Sequence, residues 1–219
     1  MSPVDTDAVT SQPPGSPWRD EEIRLAAYDP GWPDAFVAEA ARLDAAIGPW
    51  VTGGIHHVGS TAVPGLTAKP VIDILVGVAD LESSRPCIEL LAPLQYVYAP
   101  YLPDVMHWFC KPSPAGRTHH LHLVPSGSAR YIDELAFRDY LRTHPDAARL
   151  YEERKRHLAS VHRHDREAYT DGKGAFVRRT VALAREGAAP SGPARSAEAE
   201  RFSPSPGTPP SRRSPSPGP

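Results

Sequence analysis

A chain of 219 residues with 24 Lys and Arg against 26 Asp and Glu lacks the basic excess of a general nucleic-acid or anionic-membrane binder. No apolar run approaches the roughly 20 residues that span a bilayer, and the polar, proline-rich start lacks the apolar segment of a signal peptide. Cys87 and Cys110, the two cysteines, have no paired metal spacing and fit reduced thiols, so a cytoplasmic protein is expected.

Half of the 26 prolines lie at the ends, four in residues 1–18 and nine in 187–219. The Ser/Pro-rich end, with Arg212-Arg213 inside it, carries almost no aliphatic residues and cannot offset its own ordering entropy. Residues 1–18 and 187–219 are therefore expected to be disordered tails around one domain, 19–186, which is long enough for its own core. Along that body, Tyr28-Asp29-Pro30-Gly31-Trp32-Pro33 is turn chemistry, and Pro33 suits the first turn of a helix carrying Phe36, Ala40, Leu43 and Ile47 at helical spacing to Gly48-Pro49. Ile55–Val58 reads as a short strand and Val71–Val78 as a buried one. A helix is expected over Leu81–Leu94, with Pro86 in its first turn or bending it. Strands follow at Tyr96–Tyr98, Met106–Lys111 and Thr118–Val124. Helices are expected over 130–143, 146–162 and 166–186, with His144-Pro145 breaking the first two. Mixed strands followed by a helical half make the expected class α+β.

One spacing carries chemistry. Gly59-Ser60 ends the first strand, and Asp73 follows Ser60 by thirteen residues inside the second. Glycine lets backbone N–H groups approach a phosphate, and an ionised carboxylate inside an apolar strand must be paired or bound to metal. Alternation puts Val71, Asp73 and Leu75 on one face and Ile72, Ile74 and Val76 on the other. In Arg117-Thr118-His119-His120-Leu121-His122-Leu123, the same period puts His120 and His122 on one face and turns His119 toward the core. Two imidazoles two residues apart form a metal-ligand arrangement, and His122 equally serves as a general base. Arg117 grips phosphate or caps the strand. Arg138 with Arg142, and Tyr151 with Lys155, stand at i and i+4; they reach an anion together or form solvated helix faces. Lys173 is open in the same way.

These runs, taken in order, resemble the GrpB-like proteins of the nucleotidyltransferase superfamily. The resemblance rests on Tyr28–Pro33, His57–Leu66, Lys69–Ile74, Thr118–Leu123 and Leu135–Arg142, and covers about Ile23 to Ala184. It implies a small mixed β-sheet flanked by helices, with a Gly-Ser turn on a triphosphate. It also implies an Asp-x-Asp or Asp-x-Glu pair and a third carboxylate holding two Mg²⁺ ions for nucleotidyl transfer. Gly59 and Ser60 match the turn and Asp73 the first acid. The second acid position is Leu75, which cannot ligate Mg²⁺, and the third falls on the strand of His120 and His122, whose imidazoles suit Zn²⁺, Mn²⁺ or Fe better.

The expectation is a metal-assisted nucleotidyltransferase moving a nucleotidyl group from an NTP to a small-molecule acceptor. Asp73 and His122 are its catalytic residues. Gly59, Ser60, Lys69, Arg117, Arg138 and Lys155 hold phosphate, and Asp73, His120 and His122 hold a divalent metal (Mg²⁺ or Mn²⁺, with Zn²⁺ as the other choice). A non-catalytic module for a nucleotide or CoA-like ligand is the alternative that Leu75 favours. An assembly partner of another enzyme is a third, in line with the fusion of some family members to dephospho-CoA kinase. The expected partner is a phosphate-bearing small molecule, with no general nucleic-acid binding and no membrane.

Overall fold

Five strands form one mixed sheet in the computed structural model, which describes residues 22–188. Helix α1 (Trp32–Ile47) begins with Pro33 in its first turn, just after the Asp29 carboxylate accepts the Gly31 N–H at 2.8 Å. Strand β1 (Val51–Val58) leads through a one-turn 3₁₀ segment, Ser60–Ala62, to β2 (Ile72–Val78). After a single helical turn α2 (Cys87–Leu90) come β3 (Val97–Ala99), β4 (His107–Ser113) and β5 (Gly116–Pro125). Helices α3 (Ala129–Thr143), α4 (Pro145–Val161) and α5 (Arg166–Ala188) complete the order. The strands lie β1-β2-β5-β4-β3, with β2 and β5 parallel and every other neighbouring pair antiparallel. The α+β class is as expected, and no helix among the described residues is long and apolar enough to cross a membrane.

Period-two alternation divides the strands cleanly. Ile72, Ile74, Val76 and Val78 join Phe109, Leu121 and Leu123 under Leu43 and Ile47 of α1. Each such buried aliphatic is worth roughly 1.5–3 kcal/mol, so this face supplies most of the core. On the opposite face Val58, Leu75, Met106 and Val124 form a smaller buried cluster against the half-buried Tyr131 and Leu135 of α3. Val63, Leu66, Leu141 and Tyr151 then tie the 3₁₀ segment to the helical half. The sheet is thus sealed on one side and only partly covered on the other.

Two elements differ from the sequence reading. Strand β1 starts at Val51 rather than Ile55, because Gly54 takes φ +89° and absorbs a register shift against β2; the glycines bend the strand instead of ending it. The helix expected over 81–94 shrinks to turns around α2. Asp80 accepts the Ser83 N–H and hydroxyl at 2.7 and 2.8 Å, Pro86 stands at the α2 N-cap, and Pro93 lies in a following 3₁₀ turn, leaving room for one α-turn between two prolines. Helix α5 runs to Ala188, two residues beyond the expected domain end. Of the tails expected over 1–18 and 187–219, residues 187 and 188 end α5 and the rest lie outside the described residues.

Candidate functional site

Strand register assembles the site. Val58 pairs with Asp73 across β1–β2, and Asp73 pairs with His120 across β2–β5. Alternation aims Asp73, His120 and His122 at the open face, with Trp108 of β4 opposite His122. Gly59 follows β1 at φ +70° and ψ −169°, a conformation essentially reserved for glycine. A Cβ on Gly59 would stand 2.2 Å from Asp73 Oδ2, so the carboxylate occupies the space a side chain would take. The turn is braced from behind. Thr61 Oγ1 donates to the Val71 carbonyl at 3.2 Å, Arg138 Nη1 donates to the His57 carbonyl at 3.1 Å, and Arg142 Nε donates to the Ala62 carbonyl at 2.8 Å.

Above this floor lies a cavity of about 390 Å³, walled by α3, α4 and α5. Gly59, Ser60, Asp73, His120 and His122 line it from the sheet side, and Lys69, Arg117 and Lys155 line its walls. Arg138 does not: with Arg142 it borders a separate groove beside Tyr28 and Phe36, on the far side of the Gly59–Ser60 turn. The expected phosphate contact is therefore, in place, a brace on the turn. Lys69 and Lys173 stand 5.3 and 4.5 Å from the ring centre of Tyr169, and Lys155, 4.9 Å from that of Tyr151, donates to the Thr67 carbonyl. Burial lowers all three amines. Lys155 falls to about 7, with Lys173 adding to the effect, and Lys173 falls to about 8 despite Asp73. Lys69 lies well below its ordinary value through burial and then through Arg166, Lys173 and Arg117. The Arg117 guanidinium lies 5.5 Å over the Trp108 ring, which meets Tyr101 edge to face at 6.4 Å.

The acids and histidines pair off one to one. His120 Nδ1 donates to Asp73 Oδ1 at 2.8 Å; burial lowers this imidazole to about 4 against the pull of Asp73, so it is neutral at physiological pH. Its Nε2 is buried and has no hydrogen-bond partner among the described residues. Burial pushes the Asp73 carboxyl up, but the His120 hydrogen bond and the charges around it outweigh that and hold it below the usual carboxylate range. One step along β5, His122 Nδ1 lies 3.2 Å from Glu134 Oε2, and Arg130 holds the same carboxylate at 2.9 Å. Leu75, in register with His122, is fully buried in the apolar cluster. Among the described residues no three His, Cys, Asp or Glu side chains converge as a metal site. Asp73, His120 and His122 in this arrangement do not fit a shared divalent ion.

Glu134, Trp108 and Tyr169 were not singled out from sequence. Glu134 carried a signal, the Arg130–Glu134 i,i+4 pair at the start of a helix, but nothing local ties it to His122. Trp108 and Tyr169 reach the cavity through strand register and helix packing, which single residues do not announce.

A single mixed sheet, sealed on one face and bearing a cation-walled cavity on the other, defines an α+β protein. The chain belongs to the GrpB family, whose model, described as GrpB protein, matches residues 22–182. A UPF0157 protein of Pseudomonas aeruginosa is 43% identical over 185 residues, which are 79% of this chain and 74% of that protein. The glutamate-rich protein GrpB of Alkalihalophilus pseudofirmus is 33% identical over 161 residues, 71% of this chain and 92% of its own. The crystal structure of conserved protein GrpB from Enterococcus faecalis superposes with a TM-score of 0.69 at 31% identity, covering 75% of this chain and 98% of that one.

Proposed function

We propose that the cavity binds a phosphate-bearing small molecule of nucleotide size. One observation carries this reading: Lys69, Lys155 and Lys173 converge with Arg117 and Arg166 on one cavity whose floor is the Gly59–Ser60 turn. Buried amines held below their ordinary range signal a site built for an anion, because a bound phosphate returns to each lysine the proton that burial disfavours. The volume of about 390 Å³ falls in the range of small-molecule sites. Phosphate groups sit at the lysine end, and the flat part of the ligand sits against Trp108 and Tyr101.

A ligand present at a hundred times its Kd adds about 2.7 kcal/mol to folding stability, which raises the melting temperature of a chain this size by roughly 5–10 °C. Thermal unfolding of the full chain with each NTP, coenzyme A and pyrophosphate tests the reading. A saturable rise with one class supports it, and no shift with any at millimolar concentration removes it.

The contact between Gly59 and the Asp73 carboxylate favours a second reading, nucleotidyl transfer to a small acceptor. It supports this reading by setting a phosphate cradle beside an ionised acid. Pyrophosphate release from an NTP with Mg²⁺ or Mn²⁺ and a metabolite pool, abolished in Asp73→Ala, is the outcome expected of it. Ligand binding without turnover, equal in wild type and Asp73→Ala, leaves only the binding function.

A further inference from the structure

The chain holds twenty arginines and four lysines, and three of those lysines line this cavity. The fourth, Lys111, is accounted for outside it, in a buried ion pair with Glu39 at 2.6 Å and 5.2 Å from the Tyr96 ring centre. Arginine supplies most of the chain's positive charge. Lysine offers what guanidinium cannot, a primary amine that loses its proton readily when desolvated.

We propose that Lys69 is a nucleophilic amine that forms an imine with an aldehyde or ketone group on the ligand. This rests on the phosphate-binding reading and narrows it to phosphate-bearing carbonyl compounds. Lys69 and Lys173 flank the same Tyr169 ring, so each amine stands near another cation in a desolvated pocket, the arrangement that activates amine nucleophiles. Arg166 and Arg117 add to that field, and Asp73 opposes it. Lys155, nearly fully buried and donating to the Thr67 carbonyl, serves as a charge and not as the nucleophile. In the reaction the neutral Nζ attacks the carbonyl carbon and a C–N bond forms. The carbonyl oxygen then leaves as water with the two amine protons, and a C=N bond remains.

The test uses the full chain and pyridoxal 5′-phosphate as probe, with borohydride reduction and peptide mapping, beside pyridoxine 5′-phosphate, which carries the phosphate but no aldehyde. The expected result is one reduced adduct, on Lys69, suppressed by excess inorganic phosphate. Lys69→Arg removes the primary amine and is expected to lose the adduct. Adducts on the Met1 amine, spread over several lysines, or persisting at Lys173 or Lys155 in Lys69→Arg overturn the assignment. Pyridoxine 5′-phosphate binding without any adduct sinks the imine alone. Failure of wild type to bind either phosphate sinks the phosphate-binding reading with it.

Discussion

Gly59→Ala is the substitution that reaches deepest into the site with the fewest atoms. The new Cβ stands 2.2 Å from Asp73 Oδ2 and 2.9 Å from its Cβ, so the carboxylate must leave its place. Moving it breaks the 2.8 Å hydrogen bond to His120, which as a bond to a charged group is worth about 1.5–3 kcal/mol. The backbone at φ +70° and ψ −169° adds about 1–3 kcal/mol of strain for a residue with a Cβ. Together these give a loss of roughly 2.5–6 kcal/mol. Gly65 supplies the internal control. It also has positive φ, +76°, but a Cβ there meets nothing within 4 Å, so Gly65→Ala carries only the backbone cost, about 1–2 kcal/mol. Urea unfolding of both variants measures the difference, and adding Asp73→Ala to Gly59→Ala should recover part of the loss, since the colliding group is then gone. Equal costs for Gly59→Ala and Gly65→Ala, or strict additivity with Asp73→Ala, would refute the contact on which the site is built.

The buried histidines predict an acid-sensitive fold. His57 and His120 both have folded values of about 4 against an ordinary 6.5, through burial. Below pH 6.5 the unfolded chain takes up protons that the folded chain refuses. Stability is therefore present in full above 6.5 and is lost as pH falls toward 4, by roughly 3 kcal/mol for each histidine. The lowered carboxyls of Asp73 and Glu134 act in the same direction at still lower pH. Denaturant unfolding across this window should show a slope near two protons, falling by about one in His120→Gln; a flat profile would contradict the burial of these rings. Arg138→Met separates a brace from a ligand contact. Because Arg138 holds the His57 carbonyl outside the cavity, the variant should weaken binding of a phosphate-bearing ligand while leaving the salt dependence of its affinity unchanged, whereas Lys155→Met should flatten it. An equal loss of salt dependence in both would place Arg138 at the ligand.

What could be read from the chain was what local periodicity dictates. The alternation of β2 and β5 sets Asp73 beside His120, and the Gly-Ser run before an acidic strand announces the floor of the site. Residues that long-range packing delivers were not legible. Trp108 faces His122 only once β4 pairs with β5, and Glu134 reaches His122 from a helix whose phase is hidden because polar residues occur on several faces. That same hidden phase separates Arg130 and Glu134, which face the cavity, from Arg138 and Arg142, turned roughly a quarter of a helical turn away onto the other side of the Gly59–Ser60 loop. The lost helix after β2 has a plainer cause. Apolar spacing suggested a continuous helix over 81–94, but prolines at 86 and 93 permit only a single turn.

The central claim is that the lysine-walled cavity is an anion site for a phosphate-bearing small molecule. Titration calorimetry of the full chain with ATP and with pyrophosphate, in wild type and in Lys155→Met, tests it most directly. The account predicts saturable binding of one molecule per chain, weakened at least tenfold by Lys155→Met, with proton uptake seen as a buffer-dependent heat because Lys155 at about 7 and Lys173 at about 8 are recharged by the ligand. No saturable heat with either compound at millimolar concentration, or binding indifferent to Lys155→Met, would contradict it.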